Sequence, residues 1–235
     1  MGGEMLGLGA IFFLILLISS AVVGVLIWLG VVQARKNRER RAALAARMTA
    51  KGYAYAPQDP TRADLFRSTP FGSGDSRRAT DLVWGALNGR PFETFAYTYE
   101  THTTDSKGHR QTTTHRYQIT WIPLPAALPT MRFTADNAVM RLFAKMGAKD
   151  LQVESHEFNQ RWKVWCEDDR TGHAVLTPTL VESLLAPGWY GRGLVIEGRL
   201  LMTYVSGHTD LSDLESVVGA LYQIFDDIPA FLRGA

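Results

Sequence analysis

The sequence predicts an α+β protein: a single N-terminal transmembrane helix, then a bent antiparallel sheet of about six or seven strands that a C-terminal helix closes. Three observations support this. The run from Met5 to Val32 contains no charged residue. The middle of the chain alternates apolar and polar residues around turn signals, as paired strands do. Apolar residues recur at helical spacing from Leu211 to Ile228. A pleckstrin-homology-like roll has the same order of strands and terminal helix, an analogy of fold only.

The uncharged run is long enough to cross a membrane. As an α-helix it would extend about 42 Å, against a hydrocarbon core of about 30 Å, so a tilted spanning helix fits. A cleaved signal peptide is not indicated, because no basic residue precedes the run and the basic residues follow it. We therefore expect the protein to contact the lipid bilayer through residues 5–32.

Basic residues follow the uncharged run directly. Residues 35–51 carry seven basic side chains against one acidic side chain. Since basic residues are retained on the cytoplasmic side, we expect a single-pass protein of the cell membrane with its N-terminus outside and its domain in the cytoplasm. The basic excess lies beside the span, which favours lipid headgroups over nucleic acid as its partner. The residues expected to anchor headgroups are Arg35, Lys36, Arg38, Arg40 and Arg41.

These features divide the chain into three parts. Residues 1–34 form the tail and spanning helix, residues 35–52 a basic juxtamembrane helix that Gly52 ends, and residues 53–235 the cytoplasmic domain. Ser20 and Gly24 have the small-residue spacing that lets two spanning helices approach closely. Such residues are also common in spanning helices that do not associate. Two interpretations therefore stay open: a homo-oligomer, or the ordinary composition of a spanning helix.

The domain opens with a helix candidate and a β-hairpin. Pro60 to Arg67 reads as a short helix, and the polar stretch from Ser68 to Arg78 as a loop. Asn88-Gly89 separates the strand candidates Leu82 to Leu87 and Arg90 to Tyr99. Because these two residues tolerate the positive φ angles of a type I′ turn, the pattern predicts a tight hairpin.

A second, longer hairpin follows, and it carries the candidate binding residues. Asp105 to Gly108 fits a type I turn completed by a left-handed glycine. With Thr104 opposite His109, the histidines 102, 109 and 115 share one face. Both faces are polar from about residue 100 to 113, so we expect this hairpin to project into water and to touch a partner protein. The residues expected to bind the partner are Thr101, His102, Thr103, His109, Arg110 and Thr112.

Three histidines on one face raise the question of a metal. In the predicted register His102 and His109 are diagonal neighbours, with Glu100 as the only nearby carboxylate. A metal site normally needs three or four ligands in fixed geometry, which the end of a hairpin does not supply. We expect solvated histidines, no bound metal and no cofactor.

The rest of the domain reads as short elements. Trp162, Val164 and Cys166 alternate with Lys163 and Trp165, as in a strand with one buried face. This position favours a small core residue at Cys166 over a nucleophile. The terminal helix, capped by Thr209 or Asp210, is expected to pack on its own sheet, with a coiled coil as the alternative. The elements before it are a strand at Met131 to Thr134, a helix at Asn137 to Met146, a strand at Trp162 to Cys166, a helix at Pro178 to Leu185 capped by Thr177, and a hairpin at Leu194 to Val205.

Several of these segments together resemble a known family. They are Val153-Glu154-Ser155, Glu157-Phe158-Asn159, Asp168-Asp169, Leu176-Thr177-Pro178 and the Leu194 to Leu201 stretch, with Gly85 to Phe92 and Pro123-Leu124-Pro125 before them. The chain is similar to the bacterial membrane-anchored proteins catalogued as domain of unknown function 3137, in particular to actinobacterial-type relatives. The resemblance implies an anchored cytoplasmic domain and brings no catalytic residues.

No nucleophile, base and orienting group can be aligned from the spacing of the residues, so we expect no catalytic residues and no enzyme activity. The expected function is a non-enzymatic interaction or scaffold module held at the membrane. The first alternative is a domain that senses anionic lipid headgroups. The second is a metal-dependent enzyme built from His102, His109, Glu100 or Asp105.

Overall fold

The computed structural model describes the backbone of residues 2–135 and 151–234, and their side chains from residue 20 onward. The chain divides into two compact units, residues 1–47 and 48–235. The second unit has an α+β fold with a six-stranded antiparallel sheet, as predicted. The predicted helix at Asn137 to Met146 lies outside the described residues.

Helix α1 runs from Gly2 to Ala50 and ends as predicted. Gly52 has a φ of +83°, and its N–H donates to the Thr49 carbonyl while the Tyr53 N–H donates to the Met48 carbonyl. This is the paired hydrogen-bond pattern of a helix that a left-handed glycine stops. Within residues 20–135 and 151–234, no helix is both long and apolar enough to cross a membrane. The span expected at residues 5–32 therefore stays a prediction.

The sheet is built around one long strand. β4 (Arg110–Ala135) pairs along one edge with β3 (Arg90–Thr104) and then, at its end, with β5 (Trp162–Cys166). Its other edge pairs with β6 (Arg192–Ser206). β2 (Asp75–Leu87) lies beside β3, and β1 (Ala54–Gln58) beside β2.

The first predicted hairpin is confirmed. Asn88 and Gly89 have φ angles of +52° and +77°, as a type I′ turn requires, and they join β2 to β3. Pro91, which has no N–H, pairs with Ala86 and precedes the β3–β4 ladder, which starts at Glu93. The ladder to β4 therefore loses no donor to the proline.

The predicted hairpin at Leu194 to Val205 is wrong, because both halves of this segment belong to the single strand β6. Residues 194–198 pair with the far half of β4 and residues 200–206 with its near half. Yet a Cβ atom added to Gly193 would overlap the ring of Tyr204, a residue that a straight strand would place about 36 Å away. The β4–β6 ribbon therefore bends back sharply, at Gly198 (φ +58°) and at the irregular pairing between Pro123 and Leu128.

The bend encloses an aromatic core. Phe71 stacks on Tyr97 with 4.3 Å between ring centroids, and Phe66 and Phe95 pack around them. Val195 and Met202, which lie on opposite sides of the bend in β6, belong to the same buried cluster. Burial raises the pKa of both Tyr97 and Tyr204 to about 12, so these phenols stay neutral at physiological pH.

Helices cover the domain. α4 (Pro178–Leu185) is confirmed, with the Thr177 hydroxyl accepting from the Leu180 N–H at 3.1 Å. α5 (Leu214–Asp227) packs against α4 and the sheet, as favoured over a coiled coil. Its N-cap is Asp213 rather than Thr209 or Asp210, because the Asp210 carboxylate accepts hydrogen bonds from Ser212 in a preceding turn. The chain ends with α6 (Ala230–Arg233).

Short elements depart most from the sequence predictions. Pro60–Asp64 is a 3₁₀ helix, shorter than the predicted helix to Arg67. The stretch expected as a loop to Arg78 already forms β2 from Asp75. The predicted strand at Met131 to Thr134 is the end of β4. Two helices were not predicted, α2 (His156–Arg161) capped by Ser155 and α3 (Asp169–Val175) capped by Asp168.

Cys166 is a core residue, as predicted. It is buried at the end of β5, and Gly172 of α3 lies so close that a Cβ there would contact the Cys166 Cβ at 2.8 Å. Burial raises the pKa of its thiol, which disfavours the nucleophilic thiolate.

The contact between Gly193 and Tyr204 gives a test of the bend. Gly193→Ala places a methyl group inside the Tyr204 ring, so the free energy of unfolding should fall by about 1–3 kcal/mol in chemical denaturation. The matched control is Gly188→Ala, where an added Cβ meets nothing within 4 Å and the change should stay below about 0.5 kcal/mol. Equal stability of the two variants would contradict the proposed close approach.

Candidate interaction surface on the β3–β4 hairpin

The β3–β4 hairpin has the predicted turn but a register shifted by one residue. Thr104 lies opposite Arg110, not His109, and Thr94 lies opposite Thr120, not Ile119. Gly108 has the expected left-handed φ of +83°, and the Asp105 N–H donates to the His109 carbonyl at 3.0 Å. His109 therefore closes the turn instead of opening the next strand.

The shift changes which side chains share a face. Phe95, Tyr97 and Ile119 now lie together in the core. The other face carries a buried polar group, in which the Thr94 hydroxyl donates to the Ile119 carbonyl and accepts from Gln118. The register is decided by the burial of one apolar face. The register expected from the turn would have placed apolar core residues and buried polar residues on the same face.

The expected grouping of three histidines on one face is consequently wrong. His102 lies opposite Thr112, and His115 lies opposite Tyr99 on the other face. Arg110 and Thr112 share the face of His102, whereas Thr101 and Thr103 share the face of His115. His109 sits in the turn itself.

The turn is held by one carboxylate. Asp105 Oδ1 accepts from the N–H groups of Lys107 and His109, both at 2.8 Å, and Oδ2 lies 3.0 Å from His109 Nδ1. The backbone hydrogen bond from His109 is the largest cause that holds the pKa of Asp105 below its ordinary value. The turn residues are exposed, so this local network fixes their conformation without burial.

At its base the hairpin is anchored by His115. The ring stacks on Tyr99 with 4.6 Å between centroids, and its Nε2 lies 2.9 Å from the Thr101 hydroxyl. Beyond this point the residues from Thr103 to Thr113 are exposed on both faces. β2 ends its pairing with β3 at Glu100, and β6 ends its pairing with β4 at Tyr117. The two strands thus project past the sheet, as predicted.

The structure brings His102 to residues that the sequence analysis did not connect with it. His102 Nε2 lies 3.1 Å from Asp75 Oδ1, and Nδ1 lies 2.8 Å from the Thr112 hydroxyl. Ligand atoms of Asp75, Glu100 and His102 all lie within 4.8 Å of one another. Asp75 was not placed near His102 from the sequence because it was expected in a loop. No local sequence pattern indicates that Asp75 starts a strand beside Glu100.

The outer part of the hairpin carries an open depression of about 370 Å³. Thr103, Thr104, Asp105, His109 and Gln111 line it. Two of the expected partner-binding residues, Thr103 and His109, therefore line the same depression. A depression that is open to solvent suits contact with a protein surface better than enclosure of a small ligand, because ligand pockets bury most of the ligand's surface.

The basic residues expected to anchor headgroups lie in the first unit. Arg35, Lys36, Arg38, Arg40 and Arg41 are all exposed on α1. Arg35 pairs with Glu39 at 2.9 Å, one turn further along the helix. The pair is solvent-exposed and therefore contributes little to stability.

Comparisons with known proteins give a fold likeness. No family model matches the chain, and no curated protein matches it significantly. The similarity to domain of unknown function 3137 therefore stays an expectation. The fold is similar to that of the mycobacterial trehalose monomycolate transport factor A, with a TM-score of 0.53 at 9% identity. The likeness covers 81% of this chain and 95% of the transport factor.

The Asp105 network predicts a pH-dependent turn. Since the pKa of Asp105 is lowered by hydrogen bonds to its ionised form, their stabilisation is complete above the ordinary Asp range and is lost as pH falls through the lowered pKa. In NMR spectra the amide signals of Lys107 and His109 should share one step that lies below the ordinary titration range of an aspartate. Asp105→Asn keeps an acceptor but cannot titrate, so its two amides should not show this step. Movement of the same size in the Asn variant would contradict the assignment.

Proposed function

We propose that this protein is a non-enzymatic interaction module that is tethered to the cell membrane and binds a partner protein through the β3–β4 hairpin. The observation that carries the proposal is the hairpin itself: two paired strands that extend past the sheet with both faces polar and exposed. A sheet that needs only to fold gains no buried apolar area from such an extension. Projecting paired strands offer backbone and side-chain groups to a partner.

The proposed contact surface has a rigid base and an ordered end. Stacking of Tyr99 on His115 fixes the base, and the Asp105 carboxylate fixes the turn. Binding a partner then costs less conformational entropy than ordering a mobile loop would. Thr103 and His109, at the open depression, are the residues placed to reach the partner.

The tether in this proposal is the first part of α1. Residues 5–32 contain no charge, and the side chains of Ile27 and Trp28 are each 63% exposed. A continuous run of exposed apolar side chains is stable only against lipid or another apolar surface. The exposed basic residues that follow support a cytoplasmic position for the domain.

The likeness to a transport factor extends the proposal. The similar protein is described as a factor in the transport of trehalose monomycolate, a lipid. We propose that this chain likewise acts as an accessory component of an assembly that moves a lipid, with the domain contributing contacts rather than chemistry. A headgroup-sensing domain is the second candidate, favoured by the exposed bases of α1.

A shortened hairpin tests partner binding. Replacing residues 104–110 by Asn-Gly joins Thr103 to Gln111 through a two-residue turn and keeps the register, because these two residues are directly paired. The variant should retain its melting temperature and lose the proteins that photo-crosslink to the full-length chain in intact membranes. In the control, the photo-crosslinker is placed at Thr179, an exposed residue of α4. A crosslinker at this position should not capture the same proteins. Unchanged crosslinked partners in the shortened variant would refute the role of the hairpin.

Charge substitutions test the tether. The double change Val25→Lys with Leu26→Lys places two charges inside the uncharged run. Each lysine raises the insertion cost by up to about 2.5–3.5 kcal/mol, the value at the centre of a spanning helix, so the protein should become extractable from membranes with alkaline carbonate. Ala43→Lys, on the exposed part of α1 beyond the uncharged run, should leave the protein in the membrane fraction. If the double variant is retained as firmly as the control, residues 5–32 are not the tether. Binding of that extracted variant to vesicles containing phosphatidylserine would favour the headgroup-sensing function.

A further inference from the structure

We propose that Asp75, Glu100 and His102 form a binding site for a divalent transition-metal ion, with Zn²⁺ as its best-matched occupant. The ligand atoms of these three side chains lie within 4.8 Å of one another at the base of the projecting hairpin. The site does not include Thr103 or His109, the residues placed to reach the proposed partner, because its three ligands lie below the turn.

Strand pairing places the three side chains on one face. Glu100 and His102 are two residues apart in β3, so both point to the same side of the sheet. Asp75 is the first residue of β2 and lies directly opposite Glu100. Residues directly opposite in an antiparallel pair also share a face, so the carboxylate of Asp75 joins the other two.

A β-bulge is what puts Asp75 there. β2 pairs Arg78 with Thr98 but Asp75 with Glu100, so two residues of β2 oppose one residue of β3. Without the extra residue Asp75 would face Thr101 on the opposite side. Ser76 takes a φ of +51° within the bulge, a conformation that is uncommon for residues other than glycine. Bulges of this kind commonly redirect a side chain at a functional site.

The adjacent glycine keeps the chain close to β3. A Cβ atom at Gly74, whose φ is +63°, would overlap the backbone of Glu100 and the ring of Tyr99. Only glycine therefore lets the chain enter β2 at this distance from β3. The approach holds the Asp75 carboxylate beside the imidazole, while 63% of the Asp75 side chain stays exposed to solvent.

The orientation of His102 also suits a metal ligand. Its Nδ1 is 2.8 Å from the Thr112 hydroxyl of β4, which leaves Nε2 directed at Asp75 Oδ1, 3.1 Å away. Ligating histidines typically use their second ring nitrogen in such an outer hydrogen bond, which fixes the ring. A separation of 3.1 Å also matches two ligand atoms that each bind one ion at about 2.0–2.2 Å.

The donor set selects the class of ion. One imidazole with two carboxylates suits zinc and similar divalent transition metals, whereas Ca²⁺ and Mg²⁺ prefer oxygen ligands alone. Three protein ligands leave a coordination position for water. The ion would join β2, β3 and, through Thr112, β4, and so would brace the base of the hairpin.

The test is a calorimetric titration of Zn²⁺ into the tag-free full-length protein in detergent micelles. We expect one saturable site per chain, and a dissociation constant raised about tenfold or more in each of His102→Gln and Asp75→Asn. His109→Gln is the matched control: His109 also lies beside a carboxylate, but in the turn, and this variant should bind as the parent does. Circular dichroism of each variant checks that the fold is retained.

A second measurement identifies the ligand. Co²⁺ in place of Zn²⁺ should give a visible absorption band that His102→Gln removes and His109→Gln keeps. Absence of saturable binding would overturn the proposal, as would equal weakening by the two histidine variants. Because the Asn-Gly variant with the shortened hairpin retains all three ligands, it should bind zinc normally whether or not partner binding fails.

Discussion

The sharp bend of the β4–β6 ribbon is the constraint on which the rest of the domain depends. The two strands are hydrogen-bonded on both sides of the bend, so neither can fold back without the other. The bend brings Gly193 against Tyr204 and closes an inner face over the aromatic cluster of Phe71, Phe95 and Tyr97. On its other edge the same strand β4 pairs with β3 through its first half and with β5 through its end.

The bend explains which elements could be predicted from the sequence. Several turns and caps that depend on one or two residues were correct, among them Asn88-Gly89, Gly52 and Thr177. The N-cap of α5 was not, because Asp213 takes the place expected for Thr209 or Asp210. The segment from Leu194 to Val205 was predicted as a hairpin because a glycine between two apolar runs gives the same sequence signal in a turn and in a bent strand. Only the pairing of both arms with β4, a long-range contact, separates the two.

The β3–β4 hairpin shows the same difference between local features, which the sequence predicts, and long-range pairing, which it does not. Its exposure and its turn type followed from polar composition and from the position of Gly108, whereas its register did not. Register was decided by burial of Phe95, Tyr97 and Ile119 on one face, which outweighed the pairing assumed from the turn. Asp75 could not be assigned, since the bulge at Ser76 depends on how β2 meets β3 and leaves no local pattern. The histidines were thus identified as residues of interest while their partners were not.

Cys166 gives the protein a practical property. It is the single cysteine of the chain, it is buried between β5 and α3, and burial raises the pKa of its thiol. Thiol-reactive dyes and spin labels require an accessible thiolate, so the native residue should stay largely unmodified under mild conditions. A cysteine introduced at any exposed position would then be the one that takes up the probe, and the wild-type background needs no cysteine-free version for distance or accessibility measurements.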